Sequence, residues 1–418
     1  MKEVVIIGGG ASGIFTALSL GESRKTGVKI TIVEQLDKIG KKILATGNGR
    51  CNFTNRNLTK DNYNHPSFVE GIITKYGYDN VCSYLEKIGL LKKELDEGRT
   101  YPYALLATSF LDVLRKRLDE LNVIIKTNYK VSKIIVKNNK YCLYTETKEC
   151  LTADYLVFAN GGMSSPKLGS NGTGYKLLSP FKVSTTPFYP GLVGLKSKES
   201  EMRPLSGIRV KCLVMLKNKE KQLVEFKENG EVLFKDDGLS GIVIMNASSY
   251  IKRMKKDYFL ILDLMPEYTA NELLNILITR KKNNSNVSIN DFLTGMFAKM
   301  LNVMIIKRSK LDNKKSVLSL EISDLERLVN NIKNYAIEIT GDYGFTASQV
   351  TVGGVSLDEV NEETLEIKKM PQAYICGELL DIDGLCGGYN LHWALASGML
   401  VGHEISKKLT KEDTNDNR

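Results

Sequence analysis

The order of apolar and polar residues along the chain predicts an α/β fold that begins with a buried strand. Residues 4–7 form a short apolar run that ends in glycines, and residues 29–33 form a second apolar run. Between them, residues 12–23 carry apolar side chains at helical spacing. A strand, a helix and a second strand within about 30 residues make a βαβ unit, so we expect parallel strands at the start of the chain.

The pattern changes twice further along the chain, which indicates an insertion. Residues 187–262 alternate in short segments, with an expected turn at 228–231, and this favours a β-barrel-like domain. Residues 263–339 carry apolar stripes at helical spacing and predict a helical domain. Strand and glycine patterns return over residues 340–418. We therefore expect an α/β domain built from both chain ends, residues 1–186 and 340–418, with two inserted domains.

Two segments differ from the rest of the predicted α/β domain. Residues 40–55 are rich in Gly, Asn, Thr and Lys, and we expect a long loop there, of the kind that is usually functional in compact domains. Near the end of the chain we expect a helix over residues 391–405. Residues 411–418 are almost all polar, so we expect that end to fray.

Composition narrows the possible classes of protein. The chain has 418 residues and a formal net charge of +10, with the basic residues spread along it, which is typical of a solvated surface. Seven cysteines and three histidines lie scattered without metal-ligand spacing, so we expect no metal and a reducing, cytoplasmic compartment. No stretch approaches the roughly 18 apolar residues of a membrane helix, and we expect neither membrane insertion nor a signal peptide.

A dinucleotide-binding fingerprint lies between the first strand and the first helix. Gly8, Gly10 and Gly13 have the GxGxxG spacing, and the strand before them and the helix after them are the context that this motif requires. Gly8 permits a tight turn, Gly10 lets the backbone approach a pyrophosphate, and Gly13 lets helix and strand pack closely. The first N–H groups of the helix, at Ala11 and Ser12, favour an anion.

An acidic residue ends the second strand, 21 residues after Gly13. Glu34, with Gln35 beside it, would accept both hydroxyl hydrogens of an adenosine ribose. A carboxylate there would repel the 2′-phosphate of NADP. The fingerprint therefore predicts FAD or NAD and does not choose between them.

The far end of the chain favours FAD. Residues 373–378 read as a strand that ends in Gly377 and Glu378, whose carboxylate would meet ribityl or phosphate oxygens. A glycine-led helix follows, and its N-terminus would face the flavin N1–C2=O edge, where negative charge develops on reduction. The further members of this second clamp are Asp383, Gly388, Tyr389 and Asn390.

Three stretches besides the fingerprint carry a resemblance to a known family. They read GKKILATGNGRCNFTN at 40–55, VTVGGV at 350–355, and GELLDIDG with GGYN at 377–390. The chain resembles the bacterial BaiN-type (YhiN-type) flavoproteins, which are NAD(P)/FAD-dependent oxidoreductases, over essentially its whole length. Tyr101 is a mild departure, since the family usually has Phe before that proline. The resemblance implies a two-segment FAD domain, a β-barrel-like insertion and a helical portion.

The resemblance also implies roles for residues 40–55 in binding FAD. From the pyrophosphate towards the flavin, the expected contacts are Lys42, Thr46, Gly47, Gly49, Arg50, Cys51 and Asn52. Further cofactor contacts are expected at Val131, Gly161 and Gly162.

Arg50, Tyr389 and His392 are the candidate catalytic residues. Arg50 would hold a substrate oxyanion or stabilise reduced flavin, and the alternative is a structural salt bridge. For His392, packing beside the cofactor is favoured over proton donation. For Cys51, packing is favoured over redox chemistry, because no second cysteine lies three or five positions away.

These features predict an FAD-dependent oxidoreductase that transfers hydride between flavin N5 and a small organic substrate. One version reduces an activated C=C with NAD(P)H as a transient donor, since the glycine-rich residues 169–174 lack the strand and acid of a second fingerprint. The alternatives are an amine oxidase of the aminoacetone type that uses O2, an RNA-associated flavoprotein and a non-catalytic FAD-binding scaffold. The expected partner is a small molecule and not nucleic acid.

Overall fold

The computed structural model describes residues 1–23, 27–220, 224–254, 257–284, 287–312 and 316–416. The strands are β1 (Lys2–Ile7), β2 (Val28–Val33), β3 (Thr54–Asn55), β4 (Lys92–Glu94), β5 (Arg99–Pro102), β6 (Ile124–Lys126), β7 (Val131–Lys137), β8 (Lys140–Thr145), β9 (Cys150–Ala153), β10 (Tyr155–Phe158), β11 (Tyr189–Gly191), β12 (Leu195–Lys196), β13 (Arg209–Asn218), β14 (Val224–Lys235), β15 (Gly238–Ser240), β16 (Tyr258–Asp263), β17 (Tyr335–Glu338), β18 (Gly341–Asp342), β19 (Val350–Val352) and β20 (Ala373–Ile375). The α-helices are α1 (Ala11–Ser23), α2 (Lys41–Ala45), α3 (Pro66–Lys75), α4 (Tyr78–Lys87), α5 (Ala107–Glu120), α6 (Thr173–Leu178), α7 (Met202–Leu205), α8 (Ile242–Met254), α9 (Ala270–Asn283), α10 (Lys299–Arg308), α11 (Ile322–Lys333) and α12 (Tyr389–Asp416).

The chain divides into two compact units. The first consists of residues 1–190 and 349–418, and the second consists of residues 191–348. The first unit therefore combines both chain ends, in keeping with the expected α/β class.

A five-stranded parallel sheet forms the centre of the first unit, in the order β20-β10-β1-β2-β6. Ile7 lies opposite both Val33 and Phe158, and Phe158 lies opposite Ile375. The inner strands are rich in Val and Ile because the faces of a parallel sheet are mostly covered, whereas Ile124 and Ile125 of the edge strand β6 are exposed. This register brings the carboxyl ends of four strands to one edge of the sheet.

The first and last helices pack closely against each other. A Cβ on Gly398 would lie 2.4 Å from the backbone oxygen of Ser12, and a Cβ on Gly402 would lie 2.5 Å from that of Thr16. The Ser19 hydroxyl also donates to the backbone oxygen of Met399 at 2.8 Å. Small residues thus hold α12 against α1 and join the two ends of the chain.

The second unit is a seven-stranded antiparallel sheet that shares one core with its helices. The strand order is β17-β16-β13-β14-β15-β12-β18. Val214 and Leu260 of the sheet belong to the same buried cluster as Leu277 of α9 and Leu328 of α11. The segments expected to form separate domains at 187–262 and 263–339 thus fall within a single compact unit.

Two local expectations are wrong. The turn expected at 228–231 lies inside β14, where Gly230 gives room to α8, since a Cβ there would meet Val243 at 2.8 Å. The polar C-terminus does not fray from residue 411, because α12 continues to Asp416. Glu412 accepts the Tyr155 hydroxyl at 2.6 Å and pairs with Lys2 at 2.8 Å. Residues 417–418 lie outside the described residues.

None of the described helices combines the length and the apolar character that a membrane crossing requires. The described residues also contain no group of three or more His, Cys, Asp or Glu side chains arranged to hold a metal ion.

Candidate functional site

The candidate site lies at the carboxyl edge of the parallel sheet. Gly8 follows β1, Glu34 follows β2, Asn160 and Gly161 follow β10, and Gly377 follows β20. Because these strands are neighbours, the four connections that the sequence assigned to a cofactor lie side by side. Open α/β sheets bind their ligands at this edge.

The structure gives a different reason for the glycine at each of the three fingerprint positions. Gly8 has φ +112°, and a Cβ there would lie 2.3 Å from the backbone oxygen of Ala159. A Cβ on Gly13 would lie 2.0 Å from the backbone oxygen of Gly8, so the close approach of helix and strand requires glycine. At Gly10 a Cβ would meet nothing within 4 Å. Open space therefore lies over Gly10, where the pyrophosphate is expected.

The N-terminus of α1 faces that space. Its first helical hydrogen bond runs from the Ile14 N–H to the Gly10 oxygen at 3.0 Å. The N–H groups of Ala11, Ser12 and Gly13 therefore come before the first helical bond and remain for an anion.

Glu34 is buried beside the fingerprint. Its Oε2 accepts the Gly9 N–H at 2.8 Å and its Oε1 accepts the Leu36 N–H at 2.9 Å. Burial raises the pKa of Glu34, against the lowering effect of these backbone donors. Each carboxylate oxygen keeps a second lone pair, which suits the two hydroxyls of a ribose.

Gln35 and Val131 lie close to the same edge. The Gln35 amide donates to the Gly169 oxygen at 2.7 Å, so its side chain contacts the glycine-rich segment at 169–174. Val131 begins β7 and is buried, and the Tyr129 N–H just before it donates to the Glu34 backbone oxygen at 2.8 Å.

Glu378 connects three segments beside the open space. Its Oε2 pairs with Lys42 at 2.5 Å, and its Oε1 accepts the Thr351 N–H at 2.9 Å and the Thr351 hydroxyl at 3.0 Å. The Thr351 hydroxyl oxygen also accepts the Met163 N–H at 2.8 Å. Gly162 fits beneath this group, since a Cβ there would lie 2.3 Å from the Thr351 hydroxyl. Lys42 thus pairs with Glu378, whereas the sequence led us to expect that it contacts the pyrophosphate.

The segment expected to be a loop at residues 40–55 contains α2 and then a strained turn. Gly47, Asn48, Gly49 and Cys51 all have positive φ. The Thr46 hydroxyl donates to the Ile43 oxygen at 2.7 Å, which closes α2. Strain of this kind concentrates at functional sites.

Cys51, Asn52 and Arg50 differ in what surrounds them. Burial raises the pKa of the Cys51 thiol to about 12, which supports its packing role. The Asn52 Oδ1 is buried without a hydrogen-bond partner. Arg50 is exposed, and its guanidinium lies 5.2 Å from the centre of the Tyr101 ring. Among the described residues no carboxylate pairs with Arg50, so the alternative of a structural salt bridge finds no partner there.

The N-terminus of α12 meets the end of that turn. Gly388 has φ +98°, and a Cβ there would lie 2.5 Å from the Thr54 oxygen and 2.9 Å from Asn52 Oδ1. The Tyr63 hydroxyl donates to the Tyr389 oxygen at 2.9 Å, and the Tyr389 side chain is buried. Tyr63, which sequence reasoning missed, thus fixes the start of the helix.

Asn390 and Asp383 hold the turn before α12. The Asn390 side chain accepts the Gly384 N–H and donates to the Gly384 oxygen, both at 2.8 Å. Asp383 is buried, and its backbone is bound on both sides by Asn64 at 3.0 Å. The Asn390 amide therefore closes the turn, and its backbone N–H comes before the first helical bond of α12, which runs from the His392 N–H to the Gly388 oxygen at 2.9 Å.

His392 is not a proton donor. It is fully buried, its Nδ1 lies 2.8 Å from the Thr54 hydroxyl, and its Nε2 lies 2.9 Å from the Tyr76 oxygen. A carbonyl oxygen only accepts, so Nε2 carries the hydrogen and the ring is neutral. Desolvation lowers the pKa of His392 to about 4. Its inclusion among the catalytic candidates is corrected on these grounds.

A family model and a relative of similar length show the family to which the chain belongs. The family model described as HI0933-like protein Rossmann domain matches residues 2–404. A 3-dehydro-bile acid delta(4,6)-reductase of Clostridium scindens is 32% identical over 413 residues, covering 98% of this chain and 100% of the relative. The chain belongs to the HI0933-like family.

Two other proteins are similar to this chain over almost its whole length. A ribosomal RNA dihydrouridine synthase of Escherichia coli is 27% identical, covering 96% of this chain and 98% of the relative. Among solved structures, a 3-ketosteroid-delta4-(5alpha)-dehydrogenase from Rhodococcus jostii RHA1 is 12% identical, with a TM-score of 0.49 and coverage of 97% of this chain and 96% of that one.

The residues of this HI0933-like chain fit FAD. Besides the open space over Gly10, the buried atoms Asn52 Oδ1, Asn160 Oδ1 and Ser170 Oγ, which lie in segments expected to contact FAD or next to them, have no hydrogen-bond partner among the described residues. Buried polar atoms without a partner are rare and indicate an absent ligand or water. By family the chain is an FAD-dependent oxidoreductase.

Proposed function

We propose that this flavoenzyme adds hydrogen across an activated C=C bond, conjugated to a carbonyl group, in a small apolar molecule such as a steroid enone. The carrying observation is that helices from both ends of the chain contact the carboxyl edge of the parallel sheet: α1 begins just after β1, and Trp393 in α12 donates to the oxygen of Gly377, just after β20, at 3.2 Å. A full-length relative named as a 3-dehydro-bile acid delta(4,6)-reductase supports the substrate class.

In this proposal the residues of the chain bind and orient the cofactor. The N-terminus of α1 binds the pyrophosphate, Glu34 accepts the ribose hydroxyls, and the N-terminus of α12 offers its positive end to the flavin N1–C2=O edge. FAD supplies hydride chemistry at N5 when bound. Glu378 and Lys42 hold the connections around it, and His392 stays neutral and moves no proton.

We propose NAD(P)H as the electron donor, binding transiently. The glycine-rich residues 169–174 support this, because Gly169 accepts from Gln35, and a Cβ on it would lie 3.7 Å from a Glu34 oxygen. That segment therefore belongs with the adenosine end of the FAD site and does not suit a second dinucleotide. A cytoplasmic location is part of the proposal and is supported by the scattered spacing of the seven cysteines along the chain.

A second candidate is reduction of the uracil C=C in RNA, which has the same conjugation to a carbonyl. The relative named as a ribosomal RNA dihydrouridine synthase and the net charge of +10 favour it. Near the strained turn, however, Arg56 pairs with Asp79 and Arg99 with Glu97, so these cations are neutralised locally. The small-molecule substrate remains our first choice, and the names of these relatives do not favour the amine-oxidase alternative.

The test uses the FAD-loaded enzyme, reduced by light without oxygen. It is then mixed with a 3-oxo-4-ene steroid, with a uridine-containing RNA oligonucleotide, or with air. We expect the steroid to reoxidise the flavin and to yield one equivalent of the saturated ketone. Rapid reoxidation by RNA alone would transfer the proposal to the second candidate. Reoxidation by air alone, together with reduction of the oxidised flavin by aminoacetone and release of peroxide from O2, would establish the oxidase.

A further inference from the structure

Arg50 is distinguished from neighbouring arginines by its lack of a carboxylate partner. Arg56 pairs with Asp79 at 3.1 Å and Arg99 pairs with Glu97. The Arg50 Nε donates to the Gly47 oxygen at 3.3 Å, and no acidic side chain in the described ranges pairs with its guanidinium. A full positive charge is therefore held at this turn without a carboxylate to neutralise it.

Two contacts keep the Arg50 side chain in place. Its guanidinium lies 5.2 Å from the centre of the Tyr101 ring, and Tyr101 itself is only 5% exposed. With the guanidinium over a buried ring and Nε bonded to Gly47, the terminal nitrogens of Arg50 form no hydrogen bond to a described residue and remain as donors. An arginine held in this way loses less side-chain freedom when an anion binds.

The same turn meets the flavin end of the site. A Cβ on Gly47 would lie 2.9 Å from the Asn52 nitrogen and 3.5 Å from the Tyr101 ring. A Cβ on Gly388, just before α12, would lie 2.9 Å from Asn52 Oδ1. Asn52 therefore connects the Arg50 turn directly to the helix N-terminus assigned to the flavin.

We infer that Arg50, stacked on Tyr101, binds the carbonyl oxygen of the substrate and stabilises the negative charge that this oxygen gains during reduction. The inference rests on the proposed function. The N-terminus of α12 already supplies positive potential to the flavin edge, so the separate charge of Arg50 serves the substrate. The substrate of this site is therefore an enone whose carbonyl oxygen reaches the turn that carries Arg50.

The movement of electrons during the reaction places a negative charge on the carbonyl oxygen, and a positive group beside that oxygen would stabilise it. When hydride from the reduced cofactor forms a C–H bond at the carbon β to the carbonyl, the C=C electron pair shifts towards the carbonyl and the oxygen becomes an enolate. A proton from solvent then forms the second C–H bond at the α-carbon and restores the ketone. A positioned guanidinium stabilises the enolate without a proton transfer of its own.

The test measures anion binding by the oxidised, FAD-loaded enzyme, without turnover. Pentafluorophenol, which is ionised at neutral pH, imitates the enolate, and pentafluoroanisole is its neutral counterpart. Binding is followed by the change in long-wavelength flavin absorbance. We expect Arg50→Met to weaken phenolate binding roughly ten- to a hundred-fold, as for the loss of one charge-assisted hydrogen bond, and to leave anisole binding unchanged.

Three further variants complete the design. Arg50→Lys keeps the charge without the planar fork and should lie between wild type and Arg50→Met. Tyr101→Leu removes the ring on which the guanidinium lies and should bind the phenolate more weakly than wild type does. Arg203→Met is the matched control, because Arg203 is exposed and forms no ion pair with a described residue.

Two results would overturn the inference. They are equal phenolate affinity in wild type and Arg50→Met, and a wild-type enzyme that prefers the anisole. If phenolate binding depends on Arg50 but no enone is reduced, the anion site stands and the proposed function fails.

Discussion

At the scale of single residues, two fingerprint glycines are glycine for different reasons. A Cβ on Gly13 would lie 2.0 Å from the Gly8 oxygen, a contact within the fold itself. A Cβ on Gly10 would meet nothing within 4 Å. Gly13 is therefore required for folding, whereas Gly10 is required only if a ligand fills the space above it. The GxGxxG motif assigned both glycines to the cofactor site. Only the structure shows that Gly13 serves folding and that Gly10 leaves room for a ligand.

Substitution of each glycine by alanine should separate folding from FAD binding. We expect Gly10→Ala to change the free energy of unfolding of the FAD-free chain by less than about 0.5 kcal/mol, but to weaken FAD binding at least ten-fold. Gly13→Ala should lower that free energy by about 1–3 kcal/mol or more through overpacking. Urea unfolding and FAD titration by flavin fluorescence measure the two effects. A Gly10→Ala variant with wild-type FAD affinity would remove the pyrophosphate from this position.

His392 should make the chain less stable in acid. Its pKa is lowered from 6.5 to about 4 by burial, so between these values the unfolded chain binds a proton that the folded chain does not. Stability is therefore intact above pH 6.5 and falls as the pH decreases towards about 4. In His392→Gln this acid-side loss should be smaller, although the variant should be about 1–3 kcal/mol less stable at neutral pH because it disturbs the bonds to Thr54 and Tyr76.

Urea unfolding of the FAD-free chain over this pH range measures the slope. His403→Gln, on the exposed side of α12, controls for the loss of a histidine as such. A wild-type slope in His392→Gln would show that other groups cause the acid sensitivity. Flavin reduction per bound FAD should be unchanged in His392→Gln, because the imidazole contacts only the protein.

At the scale of elements, the sequence predicted what local patterns decide. The expected strands and helix of the βαβ unit agree with β1, α1 and β2 within two residues at each end. The five-residue helix α2 was missed, since it is too short to show a periodic pattern. The turn expected around Gly230 was wrong because its glycine serves a contact with α8 that is distant in sequence.

The contact between α1 and α12 should control FAD binding from a distance. Both helices direct their N-termini to the cofactor site, and a Cβ on Gly398 would lie 2.4 Å from the Ser12 oxygen. We expect Gly398→Ala to push the helices apart, to lower the free energy of unfolding by about 1–3 kcal/mol and to weaken FAD binding. The change in melting temperature with and without FAD measures both.

Gly71→Ala is the matched control for that prediction. Gly71 is exposed in α3, and a Cβ there would meet nothing within 4 Å. This variant should gain about 0.5–1 kcal/mol of stability from helix propensity and should bind FAD normally. Equal behaviour of the two variants would mean that the close helix contact is not needed.

At the scale of the whole molecule, motifs at both chain ends sufficed to predict a two-segment cofactor domain. What they did not reveal depends on distant contacts. Thr351 is tied to Glu378 and to Met163, and although it lies in the stretch VTVGGV at 350–355, that stretch alone does not indicate these contacts. The single core shared by sheet and helices in residues 191–348 was likewise not evident, because alternating and helical stretches look like separate domains when each is considered alone.

A site built from both ends of the chain should respond to the two halves of FAD unequally. ADP can occupy only the α1 end and riboflavin only the α12 end, whereas FAD links both and makes the second contact intramolecular. A ligand that binds only the folded chain stabilises it, and the stabilisation grows with the logarithm of the ratio of ligand concentration to dissociation constant. FAD should therefore raise the melting temperature more than ADP and riboflavin supplied together at the same concentrations. In Gly10→Ala the effect of ADP should decrease while that of riboflavin persists. If ADP alone matched FAD, the N-terminus of α12 would not bind the flavin, and the two-ended site would be wrong.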